Sequence, residues 1–382
     1  MLRLKTSISL RGATGLAKVG LAALVTVISM ALLSLSQENQ SQNKPDIAKL
    51  RAAAESGDPA AQTALGLACQ NGRGVEQNDA LAVDWYRKAA AAGNSEAQND
   101  LGVMYMNGWG VEKNKVEAVR WYRLAVKQKN AHAMFNLGAA YYNGDGVGID
   151  DTRAYAWFLL AQDNGSESAA DAVRRAEGQL GSITLNLGID DLAEMYFKGD
   201  ELPRDYKEGV RWLRKAAGRG DVHSQMVLAG MLMDGIGGLP PDYEEARQWC
   251  EAALKQRSAM GANCLGDIYR KGLGTPKDPT KALALLRQAA DSGVVPAMEK
   301  AADMLASGEA GKAEQHQALI YLIRAMLRGD SAAFPKAAEI RAQMSDKEWK
   351  KTREEITRGH FGVDLTRLET VLQNVQASSQ IK

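Results

Sequence analysis

Residues 94–129 read NSEAQNDLGVMYMNGWGVEKNKVEAVRWYRLAVKQK, and a shift of 36 positions in either direction nearly overlays the stretch on its flanks. Leu65-Gly66, Leu101-Gly102 and Leu137-Gly138 recur at that interval. So do the turn glycines Gly72/Gly74, Gly108/Gly110 and Gly144/Gly146, and the aromatic pairs Trp85-Tyr86, Trp121-Tyr122 and Trp157-Phe158. A fixed period of this size indicates stacked two-helix units, each too small to bury its apolar face alone.

The pattern inside one unit predicts two helices. Over residues 96–106, Ala97, Leu101, Met104 and Tyr105 fall on one face at helical spacing. Gly102 costs about 1 kcal/mol of helix propensity relative to Ala, so its recurrence implies a neighbouring helix in close approach. Gly108 and Gly110 break the helix and admit a compact turn. A second helix over residues 115–126 then buries Ala118, Trp121, Tyr122 and Ala125. In five copies a glycine follows eight residues after the aromatic position (Gly93, Gly165, Gly220, Gly293, Gly329), where a left-handed cap is needed.

These motifs, A-Q-x-x-L-G-x-x-Y-x-x-G-x-G-V followed by A-x-x-W-Y-x-x-A, closely resemble the Sel-1-like repeat family, a branch of the tetratricopeptide-type helical solenoids. The resemblance covers roughly residues 45–344. It implies an all-α, right-handed α-solenoid of about seven two-helix repeats, used as a protein-binding adaptor. It carries over no catalytic residue, because the shared positions are structural. Some proteins of the family are cysteine-rich, with a disulfide in each repeat, and are linked to β-lactam binding. This chain lacks that regular pairing.

Residues 1–43 stand apart from the array. Arg3, Lys5, Arg11 and Lys18 precede an uncharged apolar run from Val19 to Leu35, and a polar linker follows. The segment reads either as a signal peptide, with Ser34-x-Ser36 as a small-residue cleavage site, or as a single membrane anchor. Both readings export the repeats from the cytoplasm. The product is periplasmic or secreted if the segment is cleaved, and anchored in the inner membrane if it is not.

The remaining chain divides into an N-terminal repeat array over 44–165, a helical linker or hinge over 166–187, a second array over 188–330 and capping helices over 331–382. The interval from Trp157 to Trp212, 36 plus an inserted 19, marks the linker. Helices are expected at 332–344, 346–358 and 365–376. Ser345 and Glu348 form a capping box for the middle one.

Composition excludes several classes. Forty-seven basic against 46 acidic residues leave a formal charge of +1, with no basic stripe for nucleic acid. The G-x-G triplets follow no strand, and Gly311-Lys312 is followed by Ala, so neither is a phosphate loop. His132 and His223 read as surface residues, and His316 and His360 lack ligand spacing. Asp145, Asp150 and Asp151 read as a solvated turn rather than a calcium loop. Cys69 and Cys250 stand where Tyr stands elsewhere and read most simply as small buried apolar residues. The alternative for Cys250 is a bridge to Cys264, since the second helix of one repeat neighbours the first of the next.

The function expected is therefore a non-enzymatic extracytoplasmic adaptor for protein partners, without cofactor or metal, touching membrane only through an uncleaved N-terminal segment. Its roles would lie in envelope regulation or assembly. The alternatives are a secreted or surface factor contacting host proteins, or an enzyme acting on β-lactams or peptidoglycan. On each first helix, positions equivalent to 99, 103 and 106 lie opposite the core stripe. Met106, Phe135, Tyr142, Phe197, Met226 and Met233 occupy such positions and are the candidate partner-binding residues. The competing reading for them is packing between helices of adjacent repeats.

Overall fold

The computed structural model describes residues 46–359 and 369–370. The apolar run at 19–35 with its flanks, His360 and most of the helix expected at 365–376 lie outside them. Among the described residues every regular element is helical. The chain forms two compact units, one reaching Ala140 and including 144–148, the other holding 141–143 and the residues from 149 onward.

The first unit contains α1 (Ile47–Glu55), α2 (Pro59–Asn71), α3 (Asp79–Ala91), α4 (Ser95–Asn107), α5 (Lys115–Val126) and most of α6 (Ala131–Asn143). α1 is a lone second helix packed on α2, a half-repeat at the start of the array. The core runs through Leu65, Val83, Tyr86, Leu101 and Met104, all within 1% of full burial. Trp85, Tyr105 and Trp121 pack against it but are only partly buried. The close approach at the helical glycine is that of the second helix of the same repeat: a Cβ on Gly102 would lie 2.5 Å from the ring of Tyr122.

The second unit contains α7 (Asp151–Asp163), α8 (Glu167–Gln179), α9 (Ser182–Lys198), α10 (Tyr206–Gly218), α11 (Val222–Asp234), α12 (Tyr243–Lys255), α13 (Ala259–Lys271), α14 (Pro279–Asp291), α15 (Val295–Ser307), α16 (Gln315–Met326), α17 (Ala333–Gln343) and α18 (Asp346–Arg358). At the aromatic position Trp157 and Trp212 are completely buried, while Trp249 is partly buried like Trp85 and Trp121.

Residues 166–187 hold α8 and the first six residues of α9. α9 packs directly on α7, with Gly188 so close that a Cβ would meet Thr152 O at 2.9 Å. α8 lies on α7 as well, burying Ala169, Ala172 and Val173, and Tyr155 donates to Glu177 at 2.9 Å. The inserted residues thus form an added helix beside α7 while first-on-second-helix packing continues past it.

Each repeat closes with the same backbone device. The glycines after the second helices, from Gly93 to Gly329, take φ between +88° and +100°. In the two repeats without one, Lys129 (φ 61°) and Arg257 (φ 63°) adopt the left-handed conformation instead, at a cost of roughly 1 kcal/mol or more each. The second turn glycine answers a different need: a Cβ on Gly110 would lie 2.3 Å from the backbone of Asp79, at the start of the preceding repeat's second helix.

The A-Q dipeptide also has a structural reason. Gln62, Gln98 and Gln225 are buried, and each donates its amide to a carbonyl eight residues earlier, at Ala54, Ala90 and Ala217. These carbonyls belong to helix C-termini, which have no intrahelical partner. Gln98 then accepts from Gln128 of the next turn at 2.9 Å. Gln98→Leu keeps the volume but leaves the Ala90 carbonyl only its backbone bond from Gly93 N, at 3.0 Å. It should cost about 1 kcal/mol, read as a lowered urea midpoint for residues 47–126.

The C-terminal cap follows the expected pattern. Ser345 accepts from Glu348 N at 3.3 Å and Glu348 accepts from Ser345 N at 2.9 Å, closing the capping box. Trp349, Thr352 and Ile356 face inward from α18. His316 is not isolated: it is buried on α16, with Nδ1 2.9 Å from Thr352 Oγ1 and Nε2 2.7 Å from Glu355.

Candidate protein-binding face

The first helices carry the face on which partner-binding residues are expected. In the first unit, position 99 is covered by the next repeat rather than open: Thr63 and Asn99 are each 7% exposed. Asn99 accepts from Asn136, on α6, at 2.8 Å. The second unit repeats this linkage with other side chains. Ser224 donates to Asp190, and Lys300 donates to Asn263 at 3.2 Å and also bonds Asp267. Lys336 reaches Asp303 at 3.2 Å. A polar ladder therefore ties successive first helices together, and position 100 of one repeat is its usual upper partner.

The six candidate residues fall at different depths. Tyr142 is 54% exposed, while Met106, Phe135, Phe197, Met226 and Met233 are partly buried. Phe197 is placed by a substitution in the repeat pattern. Where other copies carry Ala118 on the second helix, this one has Gly209, and a Cβ there would lie 2.2 Å from the Phe197 ring. The partner exchange is visible opposite: Ala193 stands where Gly102 stands, and Leu213 where Tyr122 stands. The aromatic ring has moved from the second helix to the first, and Tyr206 lies beside it with ring centroids 5.9 Å apart. The equivalent position in the first repeat, Gln70, accepts from Tyr86 Oη at 2.8 Å. In the sixth, Arg270 pairs with Glu309 at 3.0 Å.

The opposite, second-helix side is fixed by ion pairs. Arg214 makes two parallel bonds to Glu245, at 2.7 and 2.8 Å, linking α10 to α12. Arg211 does the same to Asp163, at 3.1 and 2.6 Å, linking α10 to α7. Bidentate pairs of this kind hold register better than they add stability at such exposure.

The reading of Cys250 as simply a small apolar side chain is corrected. Cys250 and Cys264 are bonded, with Cα atoms 6.0 Å apart, joining α12 to α13 across a repeat boundary. Cys250 stands at the position of Tyr122, and Cys264, on the first helix of the following repeat, lies within bonding reach of it. Cys69 is buried and free; burial pushes its thiol pKa up, which disfavours the reactive thiolate.

Among the described residues no group of three His, Cys, Asp or Glu side chains could hold a metal ion. The Asp145–Asp151 stretch is used structurally. Asp145 pairs with Lys115 at 2.5 Å, and Asp150 caps α7 by accepting from Arg153 N at 2.9 Å. His132 and His223 are exposed. Among the described residues no helix is long and apolar enough to cross a membrane.

Paired helices with a shared turn, cap and inner ladder define a helical-repeat protein. The Sel1 repeat model matches seven segments, residues 59–94, 95–130, 131–166, 186–221, 222–258, 260–294 and 295–330. The chain belongs to the Sel1 repeat family, whose members generally mediate protein–protein interaction. An uncharacterized protein of Neisseria meningitidis serogroup B is 34% identical over 126 residues, which is 33% of this chain and 25% of that protein. A protective antigen of uropathogenic Escherichia coli with the same repeat fold is 33% identical, with a TM-score of 0.44, covering 81% of this chain and 62% of its own. A Sel1 repeat protein from Oxalobacter formigenes is 29% identical, with a TM-score of 0.31, covering 68% and 96% respectively. The chain thus spans about a quarter of the length of the Neisseria protein and less than two thirds of the antigen.

Proposed function

We propose that the protein is an exported, non-enzymatic adaptor that holds protein partners on the face of its first helices. One observation carries the reading: Tyr142 stands more than half exposed on that face, in a series with partly buried Met and Phe side chains at equivalent positions. Aromatic and Met side chains are the residue types that anchor interfaces. Within each unit the helices beneath are capped and tied by the polar ladder, which lowers the entropic cost of ordering the face on binding. Export is supported by the basic flank and apolar run at 1–43 and by the Cys250–Cys264 bridge, a bond that persists in oxidising compartments. The work proposed for it is regulation or assembly in the bacterial envelope.

The test uses surface variants in the native cell. Tyr142→Asp with Phe135→Ser, and separately Met233→Asp, should retain the wild-type helical spectrum yet lose the partner captured by crosslinking, with recovery falling at least tenfold. Retained capture by folded variants contradicts the assignment of the face.

A further inference from the structure

The proposed face is not chemically uniform. Between α9 and α11, within the second unit, lies an open groove of about 380 Å³. Its apolar lining comes from Leu187, Phe197, Leu213 and Val227, and its acidic side from Asp190, Asp191 and Glu194. Leu187 is 51% exposed, so a large apolar side chain faces water at the groove edge.

The charges around this groove do not balance. Arg153 comes only within 4.0 Å of Asp191, because its guanidinium is held by Glu201 at 2.5 Å. Lys198 is committed to Glu194 at 2.6 Å, one turn along the same helix. Asp190 has Ser224 as hydrogen-bond donor but no cation, and Asp221 adds a further negative charge beside it. His223 is the remaining basic group there, and it is exposed. Five carboxylates (Asp190, Asp191, Glu194, Glu201 and Asp221) thus share two fixed cations, Arg153 and Lys198. Partial burial raises the pKa of both Asp190 and Asp191, and neighbouring carboxylates raise it further.

An apolar floor beside uncompensated carboxylates fits an extended segment that alternates apolar and cationic side chains. We infer that the α9–α11 groove takes a basic, apolar-anchored peptide segment of a partner protein, its Leu- or Phe-type side chain against Leu187 and Val227 and its Lys or Arg side chains on Asp190, Asp191 and Glu194. The inference rests on the adaptor reading and adds the chemistry of what one part of the face selects. Charge complementarity of this kind sets partner choice and on-rate, and it weakens with salt.

Three fluorescein-labelled peptides test it against the full chain by anisotropy: one alternating Lys with Leu and Phe, one with Glu in place of each Lys, and one with Gly in place of each apolar residue. The first should bind saturably and at least tenfold more tightly than either of the others. Asp191→Asn with Glu194→Gln should weaken it roughly tenfold and flatten its salt dependence. Leu187→Ser should weaken it without changing that dependence. Equal binding of the Lys and Glu peptides, indifference to these variants, or displacement of the peptide by calcium alone would overturn the inference. If Tyr142→Asp with Phe135→Ser abolishes partner capture in cells while the Asp191/Glu194 and Leu187 variants leave both capture and peptide binding intact, the adaptor reading stands and the groove assignment falls.

Discussion

Replacing Trp157 by Ala should cost about 3–5 kcal/mol, as aromatic deletions in packed cores do. The side chain is completely buried on α7, which is covered by both α8 and α9. Its indole N–H has no hydrogen-bond partner, so the loss is one of packing and cavity formation rather than of a polar contact. Repeat arrays are stabilised by nearest neighbours. Loosening should therefore appear by hydrogen exchange in residues 151–198 and fade toward residues 279–326. Equal loss across both stretches would show that the second unit melts as one cooperative block. Trp121→Ala should cost less, because Trp121 is only partly buried.

The second large effect concerns the bridge. Cys250 and Cys264 are 14 residues apart, and closing a loop of that length stabilises by about 3 kcal/mol through the unfolded state. Cys250→Ala with Cys264→Ala should lower stability by that order in residues 243–271, and dithiothreitol should do the same to the wild-type chain. Both cysteines are nearly inaccessible, Cys250 wholly so. Reduction should therefore be slow in the folded state and fast in denaturant. An unchanged stability after reduction would show that packing alone holds α12 on α13.

Much of this architecture was legible because each repeat states it again. The 36-residue interval, the core stripe of Ala97, Leu101 and Met104, the caps and the Ser345–Glu348 box are local patterns with a single reading. What escaped depends on partners that local spacing does not encode. Position 99 is set opposite the core by helical geometry, yet Asn99 is buried because Asn136 of the next first helix covers it. The exchange that seats Phe197 over Gly209 shows in sequence only as two separate departures from the repeat, Ala193 and Gly209, whose contact lies between two helices. His316 reads as solitary in sequence because Thr352 and Glu355 lie 36 and 39 residues away. The residues inserted near 166–187 signal an interruption, but not that α9 would pack on α7 past them.

Site-specific photocrosslinking measures the central claim most directly. A benzoylphenylalanine placed singly at the positions of Met106, Tyr142, Met226 and Met233 samples the first-helix face. The same residue at the exposed positions of Leu81, Leu124 and Arg214 samples the second helices. Irradiation of cells should yield crosslinks to the same partner from the first set and background levels from the second. Crosslinks predominantly from Leu81, Leu124 and Arg214 would place the partner on the other side and contradict the account.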